Sequence, residues 1–186
     1  MSEFTPDAEA AIVGLQLGRR ARGFVRVAHA CSLGLPVVVE VAPVLESGEP
    51  FPTRFWLTCE LLRRRVARLE ADGGVREAQA LVDADPEFAL RLSSAHRRYA
   101  EERDATLPAG LEHAPSGDVG GSRGGVKCLH AHVADGLAGN DNPILEHVRA
   151  RILPAECSVP CVSPSPEGFV LDPAWKEPVE DVSDGA

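Results

Sequence analysis

Five cysteines and one glycine-rich run carry most of the reactive chemistry in this chain. The stretch GGSRGGVKCLH, Gly120 to His130, places Cys128 beside Lys127 and two residues before His130, straight after four glycines. Those residue types allow a metal ligand, a reactive thiol, or a packed thiol at a helix start. The other thiols are Cys31, Cys59, Cys157 and Cys161. Thiolates are soft donors, and a tetrahedral zinc ion or an iron–sulfur cluster takes four of them. A shared site of Cys31, Cys59, Cys128 and one of the C-terminal pair, written here with Cys161, is therefore one reading, with His130 as a further ligand. Against it, no Cys-x-x-Cys knuckle occurs, and cysteine is among the most buried residue types even without a metal.

Two other chemistries are open at the same stretch. A run of glycines entering a helix offers free N–H groups and a favourable dipole to an anion, and Arg123, Gly124, Gly125 and Lys127 are the residues expected to hold one. The phosphate-loop pattern itself, with Gly-Lys-Ser/Thr, is absent. A thiol near a helix start beside Lys127 is also expected to have a depressed pKa, which favours nucleophilic attack. His29, His96 or His130 could act as its base. No catalytic set can be named from the residues, and whether the chain is an enzyme stays open.

These groups need elements to position them. Thr5 or Asp7 can cap a first helix that ends at Gly18. GFVRVAHAC alternates with period two and reads as a strand; VVVEVA and TRFWLTC read as two more, giving a three-stranded antiparallel meander. In a meander the first and third strands run parallel, so Cys31 and Cys59 reach the same edge of the sheet. Helices follow through ELLRRRVARLEADGG, VREAQALVDAD and PEFALRLSSAHRRYAEERDA, the last with Asp85 as N-cap and Pro86 in its first turn. Residues 106–125 are rich in Gly, Pro and Ser and form a loop long enough to be a lid or disordered. VKCLHAHVADGLAG is a helix closed by Gly139, and Pro143 starts another. On the first of these, Val126, Leu129, Val133 and Leu137 share one face. His130 lies next to that face and points inward, whereas Cys128, His132 and Asp135 fall opposite, with His132 at the surface. After Pro154 the chain is Pro-rich with an acidic end, and beyond about residue 162 it is expected to pack poorly.

Several phrases together resemble one family. QLGRRARGFVRVAHACSLGLPVVVEVAP, GEPFPTRFWLTCE, RLEADGGVREAQALV, AHRRYAEERD, GGVKCLH and GNDNP are similar, in order, to domain-of-unknown-function family 501, a group of uncharacterised, mostly actinobacterial proteins. The resemblance implies no activity. Ser122 to Gly125 stand where the family reads Met-Pro-Asp-Arg. Ser32 and Leu33 stand where it often has a second thiol or a small residue near the first cysteine, and Asp135 stands where it has a histidine.

Bulk composition sets the limits. With 186 residues, 44% hydrophobic and 25% charged, the chain is sized for one globular domain, here 1–153, with 154–186 as tail. A net charge of −9 and a pI near 5.1 disfavour nucleic acid as a partner, because phosphate neutralisation needs a basic surface. No run reaches the roughly 18 apolar residues of a membrane span, and the acidic start lacks the features of a signal peptide. An odd number of thiols fits the reducing cytoplasm. The expected fold is α+β: a small three-stranded antiparallel sheet, four to five helices and a loose C-terminal tail. The expected function is that of a non-catalytic cytosolic protein with a structural zinc or iron–sulfur site and a protein partner. The alternative is an enzyme or binding module for a small anionic or phosphorylated ligand at Gly120–His130.

Overall fold

A computed structural model describes residues 4–111 and 113–178. Its elements run α1 (Pro6–Leu17), β1 (Phe24–Ala30), β2 (Pro36–Val41), β3 (Phe55–Leu57), α2 (Glu60–Ala71), α3 (Gly74–Ala84), α4 (Pro86–Asp104), a 3-10 turn (Val119–Gly121), α5 (Leu129–Leu137), α6 (Pro143–Ile152), β4 (Val162–Ser165) and β5 (Gly168–Leu171). The class is α+β, with six α-helices where four to five were expected. Strands β1, β2 and β3 form the antiparallel meander in that order.

β2 is the middle strand, and its run of valines is buried because both faces of the sheet are covered. On one face Val39 and Val41 meet Val13 of α1. On the other, Val37, Val38, Phe55 and Leu57 join a large core with α2, α4, α5 and α6. Tyr99 of α4 is fully buried there and takes the Arg54 N–H on its hydroxyl at 2.5 Å. α5 is the central helix, packed against β3, α2, α6 and the 3-10 turn.

Local signals explain most boundaries. Thr5 caps α1 through the Ala8 N–H, and Gly18 ends it at φ 66°, a left-handed conformation natural to glycine. Asp85 caps α4 and Asn142 caps α6, each followed by a proline in the first turn. α5 starts one residue later than the reading that put Cys128 inside its first turn: Cys128 is extended and serves as the N-cap.

The 106–125 connection is anchored over its second half. Val119 and Ser122 are buried. Arg103 donates to the Gly117 carbonyl at 2.5 Å, and the Val119 N–H donates to His96 Nδ1 at 3.3 Å. In the C-terminal tail, β4 and β5 pair as a hairpin against α1, with Val162 beside Ile12 and Leu35 and Phe169 edge-on to Phe4. Trp175 then lies under Arg64, and Glu177 pairs with Arg64 and Arg68 of α2. The acidic end, 179–186, lies outside the described residues.

Helices α5 and α6 approach closely at Gly136. A Cβ there would stand 2.4 Å from Leu145 Cδ2 and 2.7 Å from Leu145 Cβ. Because Leu145 Cβ cannot swing away, Gly136→Val is expected to force the helices apart and lower stability by about 2–3 kcal/mol. Urea unfolding measures this, and an unshifted midpoint would show that the two helices do not meet so tightly.

Candidate functional site

Four of the five cysteines come together at one end of the sheet. Cys31 follows β1, Cys59 precedes α2, and Cys157 and Cys161 come from the segment between α6 and β4; all four line one cavity of about 20 Å³, with Gln16, Leu35, Pro36 and Val37 among its walls. None forms a disulfide. The meander explains the first pair, since β1 and β3 run the same way and end together. Gln16 Nε2 bridges the two halves, donating to the Pro36 carbonyl at 2.9 Å and to Cys161 Sγ at 3.7 Å.

Burial pushes the Cys59 thiol up to about 11, with the Cys161 and Cys157 thiols adding in the same direction. The Leu61 and Leu62 N–H groups at the start of α2 oppose it. Burial likewise raises Cys161, and Cys31 and Cys157 reinforce it against the Gln16 amide. Cys59 and Cys161 are thereby held as neutral thiols at pH 7. Among the described residues no group of three or more His, Cys, Asp or Glu side chains is placed so as to hold a metal ion. The sulfurs surround the cavity without converging on a common centre.

Cys128 and His130, expected in the same cluster, stand elsewhere. They line a second cavity, of about 280 Å³, with Leu17, Arg19, Thr53, Phe55, Trp56, Leu57, Arg63, Gly120 and Ala131. The start of α5 is already capped from outside its own sequence. Glu70 of α2 accepts the Leu129 N–H at 2.5 Å and the His130 N–H at 3.4 Å, and its other oxygen is 3.2 Å from His130 Nδ1. His130 Nε2 is 3.3 Å from the Arg63 carbonyl. This overturns the depressed thiol expected at Cys128. Burial raises its pKa and the Glu70 carboxylate adds to the rise, against the Ala131 N–H and Lys127.

The proposed anion cradle is spent internally. The Gly124 N–H donates to Asp118 Oδ2 at 2.9 Å and the Val126 N–H to Gln79 Oε1 at 3.0 Å, while Gly125 packs against the same Gln79 oxygen. Arg123 and Gly124 face solvent, as does Lys127, whose Nζ is 3.8 Å from where a Cβ on Gly121 would sit.

His132 and His130 exchange the roles expected of them. His130 is partly exposed, at 32% of its side chain, whereas His132 is 1% exposed. The face of α5 that carries His132 and Asp135 is covered by α4 and α6, so these polar groups are buried. Asp135, fully buried, accepts Arg98 Nη2 at 2.6 Å, Asn142 Nδ2 at 2.9 Å and Asn140 Nδ2 at 3.0 Å. The Asn142 amide also faces His132 Nδ1 at 3.3 Å, and the His132 ring meets His96 edge-on at 5.5 Å. Burial, then neighbouring His96, pushes His132 down to about 3 against its hydrogen bond from Asn142. Sequence reasoning missed Glu70, Arg19 and Trp56, because their roles come from tertiary contacts that no local spacing announces.

Residues 27–150, more than half of the chain, match a family described as protein of unknown function (DUF501). No curated protein and no solved structure matches the chain.

Proposed function

We propose that this chain, which belongs to the DUF501 family, is a metal-carrying protein in which Cys31, Cys59, Cys157 and Cys161 hold a single structural zinc ion. The observation that carries this is the gathering of four unpaired thiols, from three separate stretches of chain, around one small cavity. Space of about 20 Å³ admits one water-sized particle. That favours a lone tetrahedral ion over a four-iron cluster, which the thiols alone would also suit. Ligation asks the sulfurs to turn inward about their χ1 bonds. Cys157 matters because Ser32 and Leu33 leave no second thiol beside Cys31.

The chemistry of the site supports the same reading. At Cys59 and Cys161 burial and the neighbouring thiols suppress ionisation; a dication reverses that balance and displaces the thiol protons. The Leu61 and Leu62 N–H groups then have a thiolate to face at Cys59. The ion would clamp the C-terminal segment to the sheet. Free thiols fit a reducing compartment, and among the described residues no helix is long and apolar enough to cross a membrane.

Protein purified without oxygen or chelator is expected to carry close to one zinc per chain by elemental analysis. Cys59→Ser and Cys161→Ser should each lose it, and Cys128→Ser should keep it. Chelation should lower the melting temperature by about 5 °C or more. A folded, metal-free chain whose melting is indifferent to chelator overturns the assignment.

A further inference from the structure

The 280 Å³ cavity beside Cys128 is independent of the thiol cluster, and two arginines line it. The chain carries a net −9, and many of its arginines are matched to carboxylates: Arg20 to Glu46, Arg22 to Glu49, Arg91 to Asp141 and Glu146, Arg151 to Glu77. Arg19 is not. It is exposed, lines the cavity, and lies with its guanidinium 4.6 Å over the Trp56 ring, with no carboxylate of the described residues in ion-pair range. Lys127, next to the lining residue Cys128 and close to Gly121, likewise has no carboxylate partner among the described residues.

A second guanidinium at the cavity is held in place. Arg63 Nη1 donates to the Gln16 carbonyl at 2.8 Å and pairs with Glu60 at 3.3 Å. His130 is held between Glu70 and the Arg63 carbonyl. Leu17, Phe55, Leu57 and Ala131 supply apolar lining. A cavity near 300 Å³ is at the small end of metabolite sites, and apolar walls with a few convergent polar groups are their usual make-up. Stacking on Trp56 limits the freedom of the Arg19 head before any ligand arrives, so less entropy is lost on binding.

We infer that this cavity binds a small molecule bearing an oxyanion head, phosphate or carboxylate, and a compact apolar body. Arg19 takes the head, with Arg63 behind it and Lys127 at the rim, and Phe55, Leu57 and Trp56 take the body. The start of α5 is not the anchor, since Glu70 already occupies it.

Calorimetric titration of the full chain with phenyl phosphate and with hexanoate tests this, phenyl phosphate carrying the phosphate head and hexanoate the carboxylate. Saturable binding of either one supports the site and identifies the head group. Arg19→Ala is expected to weaken that binding about tenfold or more, the loss of one charge-assisted hydrogen bond. Arg20→Ala, the exposed neighbour paired with Glu46, should leave it unchanged. In a Trp175→Phe background, the fluorescence of Trp56 should follow the same curve. Absence of saturation with both compounds overturns the inference. So does equal weakening by Arg19→Ala and Arg20→Ala, which would mark diffuse attraction to surface charge. Zinc content is not expected to alter any of these outcomes, so the two readings fail separately.

Discussion

Asp135→Ala should lower the free energy of unfolding by about 3–5 kcal/mol, the usual range for removing one partner of a buried ion pair. Three groups lose their acceptor at once: the Arg98 guanidinium and the amides of Asn140 and Asn142. Asn142 also caps α6 by accepting the Ile144 N–H at 3.1 Å, so releasing its amide loosens the start of that helix. The carboxylate is fully buried, and no water can substitute for the missing oxygen without opening the α4–α5–α6 contact. Asp135→Asn retains the shape and part of the hydrogen bonding, and is expected to cost less. Urea unfolding at pH 7.5 decides the matter. A loss below about 1 kcal/mol for the alanine variant would mean that the network is ornamental to the fold.

The second large effect is acid sensitivity between pH 6.5 and 5. His132 sits near 3 in the folded chain and at its ordinary 6.5 when unfolded. Below pH 6.5 the unfolded chain takes up a proton that the folded chain refuses. Stability that is intact above 6.5 therefore drains away as the pH falls toward 3. At pH 5 the loss from this one ring is about 2 kcal/mol. His96 acts with the same sign, lowered by burial and only partly restored by Asp118, the Gly125 carbonyl and Asp135. Protonating it also sets a cation against the Val119 N–H that now donates to its Nδ1. The carboxylates held low by partners, such as Glu77 by Arg151 and Glu177 by Arg68, weaken only at lower pH, below 4.5. Chemical unfolding at pH 7.5 and pH 5, for the native chain and for His132→Gln, isolates the ring. The variant should lose about 2 kcal/mol less between the two pH values, and parallel losses would show that His132 is not the titrating group.

The sheet and most helix ends were legible because their determinants are local: alternation in GFVRVAHAC, valines in β2, and caps at Thr5, Asp85 and Asn142. From them it followed that Cys31 and Cys59 share an edge, and the structure bears this out. The position of Cys128 was not legible. Its distance from the other sulfurs depends on where α5 crosses β3, which nothing near residue 128 encodes. The histidine assignment failed for a related reason. Helical periodicity tells which residues share a face, but assumes that the other face meets water, and in α5 that other face, with His132 and Asp135, is buried. The glycine run misled because its amides bond Asp118 and Gln79. The β4–β5 hairpin was hidden in a proline-rich stretch, where Ser165, Pro166, Glu167 and Gly168 form the turn; Gly168, at φ 125°, supplies its unusual backbone.

The hairpin that lies on α1 also bears on how the chain is made. A ribosome delivers α1 more than a hundred residues before β4–β5, so Ile12 must wait through that interval for Val162 to cover it. Throughout that interval this side of α1 lacks its cover and is open to chaperones and to neighbouring nascent chains. Assembly finishes only when the strap closes over the helix made first.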